Sequence, residues 1–308
     1  MSESYSRVDF QKELERRTLE AEKTVKKFLP EDKDNKFIVT EGIRYSVEAG
    51  GKRLRPVMMK AAFDLFKGEG SIIEPFMAAI EMIHTYSLVH DDLPAMDNDR
   101  FRRGNESTWY KYGEAMGILC GDELLNLAAE TASSAFDLCG DDLKMHKRTA
   151  KALQILFSKS GLWGMLGGQC LDVNAEKEKI KLSLQDIMLI HKLKTAALIE
   201  ASMCVGAILA GADEDAVKDM EKCAYDIGIA FQIRDDILDV TGKTEELGKP
   251  VGSDAENGKE TYVTIKGIEE SDRAVKDYSD EAMAILGKYL PGSEFLTRLV
   301  SHMSERNK

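Results

Sequence analysis

Proline is scarce in this chain: 308 residues hold 6, and none lies between Pro94 and Pro250. A helix interior excludes proline, because the ring removes a backbone donor and clashes with the preceding turn. Its absence over half the chain therefore leaves room for continuous helices. Cysteine is also sparse and odd in number. Cys120, Cys139, Cys170, Cys204 and Cys223 sit in apolar helical pattern, and no pair has zinc-site spacing, so buried free thiols in a reducing compartment are expected. The first residues, MSESYSRVDF, lack the apolar segment of a signal peptide. The longest apolar stretch, Thr195 to Ala212, contains Glu200 and many small residues, which suits a core helix and not a membrane span. A cytosolic (cytoplasmic) protein with no membrane span follows. Positive charge is short as well: the net charge of −12 argues against nucleic acid. It also means that any anionic substrate must be met by local basic clusters or by metal cations, since the global field would repel it.

What the chain does have is apolar spacing of three and four residues nearly throughout. Phe76, Ile80, Ile83 and Ser87 form one such series, and Met220, Ala224, Ile227 and Phe231 another. Breaks fall at Gly50-Gly51, Lys67 to Ser71, Leu93 to Gly104, Leu138 to Asp142, Asn174 to Leu182, Gly211 to Asp215 and Thr241 to Thr261. No repeat, low-complexity run or linker divides the chain. With 43% hydrophobic residues it can build a sizeable core, so one all-α domain over 1–308 is expected. The two longest irregular stretches each follow an aspartate cluster, and long loops in compact helical proteins tend to be functional.

The first cluster is Asp91-Asp92-Leu93-Pro94-Ala95-Met96-Asp97-Asn98-Asp99. A helix starting near Pro75 should end at Asp91 and carry His84, Ser87 and Leu88 on roughly the same face. Pro94 cannot continue that helix, and the bend can return Asp97 towards Asp91. The second cluster is Asp235-Asp236-Ile237-Leu238-Asp239, with Asp235 and Asp239 stacked on one helix face above Gln232, Gly228 and Tyr225. Converging carboxylates repel unless a cation lies between them, and oxygen-only ligands suit Mg²⁺. Either segment alone could be a solvated acidic turn. Two of them, each ending an apolar helix before a long basic loop, favour metal binding.

Cations lie nearby in sequence. Gly50-Gly51-Lys52-Arg53-Leu54-Arg55-Pro56 reads as a loop entering a helix, with backbone donors beside Lys52 and Arg55 for an anion. Arg102 and Arg103 follow the first cluster, and Lys249 and Lys259 the second. Lys194-Thr195 lies in the apolar segment Leu189 to Leu198, where a lysine is costly unless it meets an anion. The glycines Gly161, Gly164, Gly167 and Gly168 would allow close helix crossing, with space beside Gln169 and Asp172.

These segments resemble the trans (E-type) isoprenyl diphosphate synthases. HDDLPAMDNDRFRRG and FQIRDDILDVTGKTEELGK are similar to that family's two aspartate-rich motifs. GGKRLRP, EMIHTYSLVHDD, YGEAMGILCGD, GGQCLDV, HKLKTAALI and NGKETY follow in the family's order, from Gly50 to Tyr262. The resemblance implies a bundle of long, mostly antiparallel helices around a cavity, usually dimeric. It implies that Asp91 and Asp97, with Asp92 close by, hold two Mg²⁺ ions, and that Asp235, supported by Asp239, holds a third; Mn²⁺ can substitute. Arg102, Lys194 and Lys249 would grip an allylic diphosphate, and Gly51, Lys52, Arg55, His84, Arg103 and Lys259 would complete the binding of isopentenyl diphosphate and its partner. Thr195 and Gln232 would face the allylic cation. Asn98 and Arg100-Phe101 depart from the family pattern, outside these ligands.

No nucleophile with a base stands out, and an ionisation mechanism requires none. In the family a large aromatic five residues before the first aspartate floors the elongation pocket. Tyr86, followed by Ser87, together with the two extra residues between Asp92 and Asp97, resembles the bacterial farnesyl-type arrangement. The expected reaction joins isopentenyl diphosphate to dimethylallyl or geranyl diphosphate to give farnesyl diphosphate. Geranylgeranyl and geranyl products are the rivals. A terpene cyclase fits less well, since Lys52, Arg55 and His84 match isopentenyl-diphosphate residues. A non-catalytic partner subunit would normally have lost one aspartate motif, and both are intact here.

Overall fold

The computed structural model describes residues 7–31, 33–34, 36–242 and 260–306. Lys249 and Lys259 lie outside the described residues. Among the described residues the architecture is all-α, with one departure. A two-residue antiparallel ribbon, β1 (Phe101–Arg102) and β2 (Asn105–Glu106), stands directly after the first aspartate cluster. Its turn residues, Arg103 at φ 54° and Gly104 at φ 80°, both have the positive φ of a type I′ hairpin.

The chain gathers into two compact units. Of the described residues, the N-terminal unit comprises those within 7–60 and 69–153, and the C-terminal unit those within 61–68 and 154–306. The N-terminal unit is built on α4 (Glu74–Asp91), whose residues 75–83 are all buried. A helix apolar on every side belongs at a centre, and α1 (Arg7–Lys27), α2 (Ile38–Glu48) and α6 (Glu114–Ser133) pack against it. The helix starts where expected, with Pro75 in its first turn.

The C-terminal unit centres on the stretch Leu184–Ala210. By length and composition it could cross a membrane, yet 78% of its apolar window is buried within the fold, as a core helix requires. It is not one regular helix. α9 (Leu184–Ile190) leads into a π-helical segment, His191–Ala196, and then α10 (Ala197–Ala210). A capping box of Ser183 and Asp186 starts it, and Gly211 in the left-handed conformation stops it. The long α11 (Glu214–Thr241) packs on α10 and on the helix Ile268–Gly287.

Each central helix buries one glutamate, and each glutamate is paired. Arg53 Nη1 lies 2.7 Å from Glu81 Oε1, both almost fully buried, and Lys159 is bonded to Glu200. Removing one partner of such a pair leaves an uncompensated charge, at a cost of about 3–5 kcal/mol. Glu200, read as an argument against a membrane span, is thus a core ion-pair residue.

Three details correct the sequence reading. Cys170 is exposed, while the other four thiols are buried and all five are free. The glycine-rich segment does not only ease packing: it ends α7 (Leu143–Ser160) and starts α8 (Met165–Lys177) through a turn. Helix α8 then runs three residues past the break placed at Asn174. Close packing does hold at Gly168, where a Cβ would fall on the backbone of Lys194.

Candidate active site

In the N-terminal unit the chain reverses at the end of α4. Pro94 stops the helix, the Asp97 N–H donates to the Asp91 carbonyl at 2.9 Å, and the Asn98 N–H donates to the Leu93 carbonyl at 3.0 Å. Asp97 is thereby returned to Asp91, as the proline implied. Asn98 has φ 55°, a conformation that asparagine tolerates better than most residues, which gives its departure from the family pattern a local reason. Phe101 and Arg100 both meet Tyr110, at 5.9 Å and 5.5 Å, and so belong to the ribbon's packing. Asp92 is buried, and Arg102 grips it: Nε donates to Oδ1 at 2.7 Å and Oδ2 at 2.9 Å, with Nη2 2.5 Å from Oδ1. Arg102, expected on the allylic diphosphate, rests on a carboxylate in this structure.

The basic loop before α3 (Leu54–Leu65) stands in the same unit. Arg103 donates to the Gly50 carbonyl, and a Cβ at Gly51 would sit 2.6 Å from Arg103 Nη1. Only glycine at 51, at φ 145°, leaves that guanidinium its place. Burial, with Arg103 close by, pulls the Arg55 guanidinium down to about 10 despite Glu81. Desolvation and then Arg55, Arg103, Arg102 and Arg53 push His84 well below the usual histidine range. Of these four guanidiniums, Arg53 and Arg102 each meet a carboxylate, Glu81 and Asp92, so the charge left for an incoming anion rests with Arg55 and Arg103. Lys52 is exposed on the loop. Arg53, named in the loop without a role, belongs to the scaffold through Glu81 and the Val47 carbonyl.

In the C-terminal unit the π-helical segment brings Lys194 and Thr195 together on a cavity of about 130 Å³, which Asp172, His191, Gln232 and Asp236 also line. An added residue per turn re-aims side chains, and such segments recur at functional sites. Lys194 Nζ donates to the buried Asp172 Oδ2 at 2.6 Å. The anion that the lysine needs is therefore supplied by the protein itself. Thr195 Oγ1 donates to Gln232 Oε1 at 2.7 Å, and Gln232 Nε2 donates to Asp236 Oδ1 at 3.3 Å. Asp236 also accepts the Tyr262 N–H at 3.1 Å and lies 3.5 Å from His191 Nε2. The sequence placed Asp172 only beside the glycine run and Asp236 only within the second cluster, while His191 was not singled out, although it lies inside a segment that was.

Asp235 and Asp239 lie one turn apart on α11. Arg306 bonds the Asp235 carboxylate, donates to the Phe231 carbonyl at 3.3 Å, and stacks 3.8 Å over the Phe231 ring. Tyr86 is buried on α4 beside His90, with Ser87 half-buried next to it.

The donor set at both aspartate clusters is oxygen-only. No three His, Cys, Asp or Glu side chains form a ready cage among the described residues. Mg²⁺ takes one or two carboxylates and completes its shell with water and phosphate oxygens. The carboxylates therefore fit an ion that arrives with a diphosphate.

Two helices that carry aspartate clusters, one of them beside a cationic loop, offer the groups that a metal-bound diphosphate would need. Comparison with known proteins makes this specific. The family model for polyprenyl synthetase matches residues 37–288, and the chain belongs to that family. It is similar to farnesyl diphosphate synthase of Escherichia coli, 38% identical over 306 residues, covering 98% of this chain and 100% of that one. It is also similar to the large subunit 1 of heterodimeric geranylgeranyl pyrophosphate synthase from Arabidopsis thaliana chloroplasts. That match is 42% identical over 245 residues, covering 79% of this chain and 65% of the plant protein. Among solved structures, the apo FPP/GFPP synthase of Zymomonas mobilis superposes with TM-score 0.84 at 30% identity, covering 96% of this chain and 99% of that one. The chain is thus a chain-elongating prenyltransferase acting on isoprenoid diphosphates, in a family that uses a divalent metal to ionise them.

Proposed function

We propose that this enzyme condenses isopentenyl diphosphate with dimethylallyl and then geranyl diphosphate and releases farnesyl diphosphate, as a cytoplasmic homodimer whose single catalytic domain spans 1–308. The observation that carries the product length is the buried Tyr86. It lies five residues before Asp91, about 7–8 Å up the helix at ~1.5 Å per residue. A phenol there leaves little depth for a growing chain.

Three Mg²⁺ ions, held by Asp91, Asp92 and Asp97 and by Asp235 with Asp239, would supply Lewis-acid stabilisation of the leaving diphosphate. Arg102, Lys194 and Lys249 bind that diphosphate and hold it as charge develops on its oxygens. Lys52, Arg55, His84 and Arg103, with the glycine at 51, hold isopentenyl diphosphate so that its double bond can attack, and Lys259 adds a further cation for substrate binding. Thr195 and Gln232 present oxygens to the allylic cation, and Asp236 fixes which end of the Gln232 amide faces Thr195. Apolar helix faces keep water from the cation. No side chain is needed as the final base, because the departed diphosphate can take the proton. The exposed Ile118, Leu119 and Leu125 on α6 support a homodimer.

The likeness to a geranylgeranyl synthase subunit favours a second reading, with a longer product. Chromatography of products from labelled isopentenyl diphosphate, dimethylallyl diphosphate and Mg²⁺, with an EDTA control, separates the two. A farnesyl-length product abolished by EDTA is expected. A predominant geranylgeranyl product would overturn the length assignment, and no condensation would point to a partner subunit.

A further inference from the structure

The Tyr86 ring does not stand alone. One turn later on α4, His90 meets it edge to face, with centroids 5.9 Å apart and planes at 78°. The imidazole is held from α6: His90 Nε2 donates to the Ile118 carbonyl at 3.1 Å and lies 3.7 Å from Asp122. Directly beneath it is Gly121, where a Cβ would fall on the imidazole itself. A side chain at 121 and the imidazole cannot share this space.

We infer that product length is set by a brace of three residues, in which His90, seated in the notch at Gly121, holds the Tyr86 ring in place. The inference rests on the reading of Tyr86 as the pocket floor. A tyrosine ring turns about two side-chain bonds, so it stops a growing chain only if something behind it resists. Edge-to-face contact supplies that resistance. The hydrogen bond to a backbone carbonyl of α6 passes the load to a second helix, and the missing side chain at 121 lets the imidazole lie flat enough to do so. His90 is a positioning residue here: it acts on the product through Tyr86. The segment YGEAMGILCGD, which carries Gly121, thereby acquires a role in specificity.

The test compares product profiles of the full-length wild type, Tyr86→Ala, His90→Ala, His90→Phe and Gly121→Ala, made from labelled isopentenyl diphosphate with dimethylallyl diphosphate. The ratio of long to short products is internal to each reaction, so it does not depend on how much of a variant is active. Tyr86→Ala should lengthen the product. His90→Ala and Gly121→Ala should each raise the share of products beyond the wild-type length severalfold with Tyr86 in place. His90→Phe, which keeps a ring behind Tyr86, should stay near wild type. If His90→Ala fails to fold, Gly121→Ala decides. Lengthening by Tyr86→Ala with wild-type profiles from the soluble His90→Ala and Gly121→Ala variants overturns the brace and leaves the floor standing. An unchanged profile from Tyr86→Ala overturns the floor, and the brace with it.

Discussion

The two aspartate clusters present the same carboxylates on different supports. The first hangs from a helix end, where Pro94 and two backbone hydrogen bonds fold nine residues back on themselves. The second is part of a continuous helix, and its spacing comes from the helical repeat alone. Yet in each cluster one carboxylate is held by an arginine. Arg102 reaches Asp92 from ten residues away, and Arg306 reaches Asp235 from 71 residues away. The lesson is electrostatic. A partly buried carboxylate needs a counter-charge at all times, and a guanidinium supplies one that an incoming cation can displace.

The sharpest way to break this equivalence is to remove one carboxylate from each cluster. Asp91→Ala and Asp235→Ala should each lower kcat by about 10²–10³, by analogy with the loss of one transition-state stabiliser. Steady-state turnover at saturating Mg²⁺ reads this directly. Near-normal turnover in either would remove that cluster from the chemistry.

Next come the two arginines, which should differ. Arg102→Ala removes the proposed diphosphate ligand as well as the partner of Asp92. It should lower kcat/KM by about 10–100-fold, from charged hydrogen bonds worth about 1.5–3 kcal/mol. Arg306→Ala releases Asp235 from a pair near the surface, worth about 0.2–1 kcal/mol, so metal should bind up to about fivefold more tightly. Calorimetric titration with Mg²⁺ and inorganic diphosphate checks this without turnover. Weaker metal binding in Arg306→Ala would mean that the arginine supports the metal site and does not stand in for the ion.

The smallest effect concerns the cationic loop beside the first cluster, which has no counterpart among the described residues of the second. His84 is held well below its ordinary pKa by burial and by Arg55. The unfolded chain therefore binds the proton more readily, so stability is lost as pH falls through about 6.5, with a limiting slope of about 1.4 kcal/mol per pH unit. Thermal melts should fall by a few degrees between about pH 7 and pH 5.5 in the wild type. The fall should be shallower in His84→Gln. Equal slopes in both would show that other groups set the acid sensitivity.

Much of this was legible in the chain. The return of Asp97 to Asp91 followed from one proline at a helix end, and the stacking of Asp235 and Asp239 from a spacing of four. Both are local consequences of backbone geometry. The π-helical segment was not legible, because a π turn leaves no mark in residue types that an α-helix would not also accept. The pairings Lys194–Asp172, His191–Asp236 and Arg306–Asp235 were hidden for a different reason. Each joins residues 22 or more apart, so no periodicity links them. The ribbon after the first cluster was masked by its brevity, although Arg103-Gly104 gave a weak turn signal.

The sequence by itself determined that this is an all-α protein with two aspartate clusters and local groups of cations near them. Those properties reside in helical period, proline placement and the charge of short segments. Only the tertiary structure decided which cation meets which carboxylate, where the π segment aims Lys194 and Thr195, and what stands behind Tyr86. Each of these is a contact between elements distant in the chain, and such contacts exist only once apolar faces have packed.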